Sequence, residues 1–267
     1  MNRGDRAEAH KYWAQAKVIQ IWRGHFYTKE AHLAYQSAEA FSDLDSSKRI
    51  YIGEASGQHY FAVNQELSDG PTLRDLASQL KEDELEIAVT ALALINWHET
   101  HQSCSRCGAE TEIIENGWVR QCPADQTHHF PRTDPAVIVA VQDRNGRLCL
   151  GRQAIWVEGR FSNFAGFVEP GESLEAAVER EVREETGLEV SDIKYLFSQP
   201  WPFPNSIMLA FEAFTDNPEV AKPDGEEIVD LKWFTKEELI AASSDGTLNL
   251  PPHTTVSRRM IERWLNG

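Results

Sequence analysis

Three glutamates stand within little more than one helical turn in the stretch REVREETG. On a helix, with about 100° between successive residues, Glu181, Glu184 and Glu185 fall on the same side as Leu174 and Val178. Like charges at this spacing repel each other, and carboxylates that leave bulk water become neutral unless they are paired. Mg²⁺ or Mn²⁺ prefers hard carboxylate oxygens and can also bind substrate phosphates. The trio therefore predicts a divalent-cation site, the alternative being a solvated acidic helix.

A second group with metal-ligand chemistry begins at Cys104-Ser-Arg-Cys107 and continues with Cys122. In a cytosolic chain this spacing indicates a metal or redox site rather than a structural disulfide. The fourth cysteine, Cys149, lies in the strand-like stretch RLCLGR. We therefore expect Cys149 to be a small buried residue and not a ligand.

The composition limits the class of protein. With 41% hydrophobic and 25% charged residues among 267, the chain is typical of soluble globular proteins with one large or two ordinary domains. Its longest apolar run, AVTALALINW, is too short to cross a bilayer, and the N-terminus lacks the apolar core of a signal peptide. The sequence thus predicts a cytoplasmic location and no membrane partner. A net charge of −16 argues against binding along a nucleic-acid backbone, but it is compatible with an anionic small molecule or one RNA end held by metal ions.

Local signals predict the elements that must position these groups. The glutamate helix should begin after Ser173 as N-cap and run to Thr186, with Gly187 as a left-handed stop. Hairpin turns are predicted at Ser56-Gly57 and Asn145-Gly146. Further helices are predicted at 73–80, 83–98, 236–243 and 255–265, and further strands at 193–198, 206–214 and 228–234. Strands interrupted by one central helix indicate a mixed sheet between helices, an α/β fold.

Residues 166–188 resemble the Nudix box, whose pattern is G-x5-E-x7-R-E-U-x-E-E-x-G-U, with U a bulky apolar residue. Every fixed position is met, by Gly166, Glu172, Arg180, Glu181, Val182, Glu184, Glu185, Gly187 and Leu188. The resemblance implies an α/β/α sandwich that hydrolyses a nucleoside diphosphate linked to another group. In its loop-helix-loop, Gly166 would let the backbone approach the helix closely and Arg180 would pair with Glu172.

The same resemblance implies roles for the glutamates. Glu181, Glu184 and Glu185 would be the catalytic residues and the ligands of Mg²⁺ or Mn²⁺, which neutralises the pyrophosphate and activates a water. Glu185 would be the indispensable ligand and could also assist the water as a base. Glu227 matches a further acidic ligand supplied from outside the box, the alternative being an ordinary loop glutamate.

The stretch SQPWPFP, at residues 198–204, resembles the motif of the NADH pyrophosphatase (NudC) branch of the Nudix hydrolases. Its three prolines around Trp201 and Phe203 predict a stiff ledge that is not a strand. The branch implies hydrolysis of NADH or NAD to NMN(H) and AMP, removal of NAD caps from RNA 5′ ends, and a homodimer. Three alternatives remain: a Nudix hydrolase of ADP-ribose or dinucleoside polyphosphates, a non-catalytic nucleotide sensor, and a zinc-ribbon interaction module.

The resemblance, which extends from about residue 73 onward, also implies a set of substrate-binding residues. Phe130 and Phe167 would sandwich the adenine, from different protomers of a homodimer. A tyrosine is usual at Phe130, so stacking is retained here without a hydroxyl contact. The other implied substrate-binding residues are Ala165, Gln199, Trp201, Ser206, Met208 and Ser257.

A structural zinc site is also implied, with one departure from the family pattern. The branch usually has two CxxC pairs, and here the fourth cysteine is replaced. The expected ligands are Cys104, Cys107, Cys122 and, at the fourth position, Asp125, with His128 and His129 as alternatives. If zinc is not bound, this knuckle is held by packing alone.

The predicted organisation has three parts. An α+β N-terminal domain covers residues 1–99, and a zinc-ribbon-like segment covers residues 100–131. The catalytic Nudix domain, an α/β/α sandwich with a mixed sheet, covers residues 132–267.

Overall fold

The computed structural model describes residues 1–4 and 6–267, which divide into two units. The first comprises Met1–Thr133 and Trp201–Asn205, and the second comprises Asp134–Pro200 and Ser206–Gly267. Each unit has its own buried apolar core. Among the described residues, no helix combines the length and the apolar character that a membrane crossing requires.

In the first unit, a mixed sheet carries one long helix. Its elements are β1 (Lys17–Trp22), β2 (His25–Phe26), β3 (Thr28–Lys29), β4 (His32–Leu33), β5 (Gln36–Ser37), β6 (Ile50–Ala55), β7 (Gln58–Asn64), α1 (Leu73–Leu76), α2 (Glu82–Thr100) and the 3₁₀ helices Ala9–Gln15, Ala38–Phe41 and Ser46–Lys48. The sheet order is β2-β1-β7-β6, with β5 also paired to β1. Strands β6 and β7 form the hairpin predicted at Ser56-Gly57, and β1 runs parallel to β7. The buried side chains Ile87, Ala91 and Ile95 of α2 share one core with this sheet.

A small antiparallel sheet follows α2 in the chain. Its strands are β8 (Glu112–Ile114), β9 (Val119–Gln121) and β10 (His128–His129), in the order β10-β9-β8, and the 3₁₀ helix Glu115–Gly117 lies between the first two. The buried Arg120 guanidinium of β9 donates from Nη1 to His98 Nδ1 of α2 at 3.1 Å. Burial lowers the pKa of His98 to about 4, so the neutral ring accepts at Nδ1 and donates from Nε2 to the Gly117 carbonyl at 2.9 Å.

The second unit is built around a mixed sheet. Its elements are β11 (Asp134–Asp143), β12 (Leu148–Gln153), β13 (Phe164–Phe167), α3 (Leu174–Thr186), β14 (Ser191–Trp201), β15 (Ser206–Thr215), the 3₁₀ helix Pro218–Val220, β16 (Ile228–Phe234), α4 (Lys236–Ser244) and α5 (Val256–Asn266). The order is β14-β15-β11-β12-β16, and β13 pairs with the other half of the β11 edge. Strands β11 and β15 are parallel, whereas β12 and β13 run antiparallel to β11.

Alternation along β11 places helices on both faces of this sheet. Val137, Val139 and Val141 share a core with the apolar side chains of α3. Ile138 and Ala140 point to the opposite face and share a core with α4 and α5. The predicted α/β/α sandwich is therefore confirmed.

The glutamate helix has the predicted limits. The Ser173 side chain accepts a hydrogen bond from the backbone N–H of Ala176, which caps the first turn of α3. Gly187 ends the helix with φ of 70°, a left-handed conformation that favours glycine.

Two local predictions are wrong. The stretch at 198–201 is not outside the sheet, because β14 continues to Trp201. Strand β14 is the first in the sheet order, and an edge strand tolerates Pro200 because its outer side needs no ladder hydrogen bonds. The helix predicted over 73–80 ends as an α-helix at Leu76.

Candidate active site and zinc site

Glu185 lies in the buried face of α3 and is 4% exposed. Its Oε2 has no hydrogen-bond partner among the described residues. Burial, together with the nearby negative charges of Glu227, Glu181 and Asp224, raises the pKa of the Glu185 carboxyl to about 9. Such a carboxyl is ionised at neutral pH only beside a cation.

The second box carboxylate, Glu181, lies directly against β13. A Cβ atom built on Gly166 would be 1.9 Å from the carboxyl carbon of Glu181, so no larger side chain fits at residue 166 while Glu181 keeps its position. The predicted close approach of loop and helix is thereby confirmed. Burial raises the pKa of Glu181, and the neighbouring Arg180 opposes that shift.

Arg180 joins the loop before α3 to the helix. Its Nε and Nη2 donate to the two carboxylate oxygens of Glu172 at 2.7 and 2.9 Å, which is the predicted pair. The same guanidinium donates to Glu181 at 2.7 Å and to the Phe167 carbonyl at 2.8 Å. The Arg180 side chain lowers the pKa of Glu172 to about 2, so this ion pair stays intact at neutral pH.

The third box carboxylate, Glu184, does not point inward as predicted. Its side chain is 59% exposed, and it accepts from Arg180 Nη1 at 3.1 Å. The buried residues of α3 are Ala177, Val178, Val182, Glu185 and Thr186. This set centres the buried arc on Glu185, and Glu184 lies about 100° away, beyond its edge.

A turn that the sequence reading missed presents Glu227. The Asp224 carboxylate accepts from the backbone N–H of Glu226, Glu227 and Ile228 at 3.2, 3.2 and 2.8 Å. Gln153 of β12 donates from Nε2 to Glu227 Oε1 at 2.9 Å. Because Glu227 raises the pKa of Glu185, its charge lies within electrostatic reach of the box. The Asp-Gly dipeptide at 224–225 was the available turn signal.

Carboxylate oxygens are the ligands that a hard divalent cation prefers, so these side chains are suitable for one. Within the part of the chain that the structure describes, they do not form a group whose ligand atoms all lie within 4.8 Å of one another. Arg180 forms ion pairs with Glu181 and Glu184, whereas the acids around the buried Glu185 raise the pKa of its carboxyl. A cation with oxygen preference would complete this balance.

Several of the predicted substrate residues share the α5 face of the sheet. Ala165 of β13 and Met208 of β15 pack against the α5 core. Period-two alternation puts Phe167 beside Ala165 and Ser206 beside Met208 on that same face. Ser257 lies in the first turn of α5 and is 4% exposed.

Gln199 and Trp201 both lie in β14, on either side of Pro200, but belong to different units. Gln199 Nε2 donates to the Thr254 carbonyl at 2.9 Å, and its Oε1 is buried without a partner in the described structure. Trp201, in the first unit, packs edge-on against Phe203 with 5.1 Å between ring centroids. The Arg74 guanidinium covers both rings, at 5.2 and 4.1 Å from their centroids.

The two predicted stacking rings are both available to a ligand. Phe130, which follows β10 in the first unit, is 63% exposed. Phe167, at the end of β13 in the second unit, is 58% exposed. An exposed aromatic ring of this kind can stack on a planar ligand.

The ligand atoms of the cysteine group lie close enough together to bind one metal ion. The ligand atoms of Cys104, Cys107, Cys122 and Asp125 all lie within 4.8 Å of one another, and among the described residues no other His, Cys, Asp or Glu belongs to this group. The Arg106 backbone N–H lowers the pKa of the Cys104 thiol to about 7, which favours the thiolate that binds metal. Zinc binds cysteine thiolates and also accepts a carboxylate oxygen, so three cysteines and one aspartate can supply the four ligands of a tetrahedral site.

The other cysteine behaves as predicted. Cys149 lies on β12 with none of its surface exposed, and burial raises the pKa of its thiol. A buried neutral thiol is not a metal ligand.

Comparison with known proteins gives two domain matches within this chain. Residues 132–263 match the NUDIX domain, and residues 99–130 match the NADH pyrophosphatase zinc ribbon domain. The second match and the cysteine group together support a structural zinc site.

Curated relatives match nearly the whole chain. The NAD-capped RNA hydrolase NudC of Mycobacterium bovis (strain BCG / Pasteur 1173P2) is 35% identical over 281 aligned positions, which cover 98% of this chain and 90% of that protein. The human NAD-capped RNA hydrolase NUDT12 is 38% identical over 199 positions, covering 70% of this chain and 43% of that protein. A solved NUDIX hydrolase from Nitrosomonas europaea is 25% identical, with a TM-score of 0.44, over 61% of this chain and 88% of that one.

Proposed function

Because the chain belongs to the NudC family of Nudix hydrolases, with both a NUDIX domain and an NADH pyrophosphatase zinc ribbon, we propose that it hydrolyses the pyrophosphate bond of NADH or NAD. The products are NMN(H) and AMP, and the proposal extends to NAD caps at RNA 5′ ends, on which the named relatives act. The observation that carries it is Glu185, a buried carboxyl surrounded by further acids in an intact box. A cytoplasmic homodimer is part of the same proposal.

The chemistry divides between the bound ions and the residues that hold them. Mg²⁺ or Mn²⁺, when bound, neutralises the pyrophosphate and lowers the pKa of the attacking water. Glu181, Glu184, Glu185 and Glu227 would hold the ions, and Arg180 keeps the loop fixed to the helix. The water oxygen would bond to one phosphorus as the bridging P–O bond breaks and releases the other phosphate group, and Glu185 would assist as the base that takes up the water's proton.

The rest of the molecule would bind the dinucleotide and support the site. As the resemblance implies, the Phe130 ring of one protomer and the Phe167 ring of the other would sandwich the adenine. The other proposed substrate contacts are Ala165, Gln199, Trp201, Ser206, Met208 and Ser257. Cys104, Cys107, Cys122 and Asp125 would hold zinc, within the proposed three-part division at 1–99, 100–131 and 132–267.

The test is product analysis by HPLC after incubation with NADH, NAD⁺, ADP-ribose and NAD-capped RNA, each with and without Mg²⁺. We expect AMP and NMN(H), formed only with the metal, and a higher kcat/KM for NADH or the capped RNA than for ADP-ribose. Preference for ADP-ribose would overturn the substrate assignment. Binding of nucleotide without any product would favour the sensor alternative.

Metal binding at the box should release a proton. In the metal-free protein, the pKa of Glu185 is about 9, against an ordinary value of 4.5. Proton binding to Glu185 therefore contributes its full stabilisation of the folded state below pH 4.5. This contribution is lost as pH rises toward 9. Mg²⁺ binds the ionised form and should therefore raise Tm more at pH 8.5 than at pH 6. Thermal melts with EDTA or Mg²⁺ at both pH values would measure this. A Glu185→Gln protein should show neither effect, and an equal Mg²⁺ shift at both pH values would contradict the assignment.

Purified protein should contain about one zinc ion per chain, held in part by Asp125. We expect Asp125→Ala to lose zinc and to lower Tm, because structural zinc contributes directly to folding. Asp125→Cys should keep the metal, since a thiolate replaces the carboxylate. Elemental analysis measures the content, and Cys149→Ala is the matched control that should keep full zinc. Full zinc in Asp125→Ala would exclude Asp125 as a ligand.

A further inference from the structure

Asn163 is a buried polar residue with no role in the proposal so far. It immediately precedes β13 and is 5% exposed. By alternation it lies on the same face as Ala165, toward α5. Its amide nitrogen Nδ2 donates to the Ser257 carbonyl at 3.2 Å and contacts Ser257 Oγ at 3.0 Å. Its Oδ1 has no partner among residues 1–4 and 6–267.

The orientation of the Asn163 amide follows from its partners. A backbone carbonyl can only accept a hydrogen bond, so the NH₂ group must face the Ser257 carbonyl. The backbone N–H of Asn163 and the hydroxyl of Ser162 also contact Ser257 Oγ, at 3.2 and 2.8 Å. These contacts fix the side-chain amide and leave Oδ1 as the group without a partner in the described structure. A buried acceptor held without a donor is costly, which calls for a donor from outside the chain.

Gln199 repeats this arrangement from β14. Its amide nitrogen donates to the Thr254 carbonyl, in the turn that leads into α5, and its Oε1 is likewise buried without a partner in the described part of the chain. Two carboxamides on one sheet face thus use their NH₂ groups to hold the residues at the start of α5. In both residues the side-chain carbonyl oxygen is left to accept a hydrogen bond from a ligand.

We propose that Asn163 is a specificity-determining residue whose Oδ1 accepts a hydrogen bond from a planar amino group of the dinucleotide. The inference rests on the proposed function, which makes NAD(H) the substrate. Two parts of that substrate carry such a group: the adenine ring and the nicotinamide carboxamide. An acceptor built into the site rejects an analogue that lacks the donor, because the acceptor is then left unpaired on binding.

Two NAD analogues distinguish the sources. Nicotinamide hypoxanthine dinucleotide replaces the adenine amino group by an oxygen, and 3-acetylpyridine adenine dinucleotide replaces the carboxamide amino group by a methyl. We expect the wild-type kcat/KM to be at least about tenfold lower for one of them than for NAD⁺. Asn163→Leu, which fills the space without an acceptor, should reduce that difference to about twofold or less. HPLC of the products gives all the rates.

Ser162→Ala is the matched control, because it removes a hydrogen bond to the same Ser257 but leaves the Asn163 acceptor. It should keep the wild-type ratio between NAD⁺ and the analogue. The inference is overturned if wild-type protein hydrolyses both analogues as well as NAD⁺, or if Asn163→Leu lowers all three rates by one factor. Asn163→Ala provides the same comparison should the leucine variant not fold. Hydrolysis of none of the three would instead refute the proposed function.

Discussion

Glu185→Gln is expected to lower kcat for NADH by about a thousandfold or more while the protein remains folded. Glutamine has the shape of glutamate but no charge, so it cannot hold the cation whose several kcal/mol of charge stabilisation the reaction needs. Stability in EDTA should be equal or higher, because burying a neutral amide avoids the burial cost that raises the Glu185 pKa. HPLC turnover with saturating Mg²⁺ and a circular-dichroism melt measure the two quantities.

The matched control for that change is Glu179→Gln. Glu179 lies on the same helix but on its exposed side. We expect its turnover to stay within about twofold of wild type, since an exposed charge away from the site contributes little. A Glu185→Gln protein that keeps more than a tenth of wild-type kcat would remove Glu185 from the proposed mechanism.

Gly166→Ala should be the second most damaging change, with kcat/KM lower by about a hundredfold. The added methyl would be 1.9 Å from the Glu181 carboxyl carbon and 2.0 Å from its Oε1, so the carboxylate must turn away from its present position. The atoms that must yield are the end of a flexible side chain, so the fold should survive. Titration of Mg²⁺ against activity should show a weaker apparent affinity, with a melting temperature close to that of wild type.

Gly151→Ala provides the contrasting control. A Cβ there would be 2.7 Å from Phe164 Cε1 and 3.3 Å from two Ile228 carbons, all in the core. Overpacking of this kind costs about 1–3 kcal/mol of stability. We therefore expect Gly151→Ala to lower Tm and Gly166→Ala to lower metal affinity. Wild-type Mg²⁺ dependence in Gly166→Ala would show that the position of Glu181 does not matter.

Much of the second unit could be read from short stretches of sequence. Ser173 and Gly187 bound α3 by hydrogen bonding and backbone conformation within one turn of each end. The Asn145-Gly146 turn and the alternation of β11 likewise depend on neighbours in the chain. The box, with Gly166 against Glu181 and Arg180 on Glu172, is a local pattern as well. Such features are predictable because their causes lie within a few residues.

Other features depend on which helices and strands pack against each other in the folded protein. A helical wheel gives the angle between Glu184 and Glu185, but the packing of the sheet on α3 decides where burial ends, and Glu184 falls outside it. Pro200 continues a strand only because β14 lies at the sheet edge. The turn at Asp224 lies close to Glu185, and the Asn163 side chain donates a hydrogen bond to the Ser257 carbonyl. Both contacts join residues that are tens of positions apart in the sequence.

The sequence by itself thus determined the family and the fold class and predicted the chemistry of the candidate site, since these depend on residue types at fixed spacing. Only the tertiary structure decided which carboxylates lose their water and which amides are left with an unpaired oxygen. Desolvation depends on the neighbours that folding brings together, and a linear pattern does not contain them.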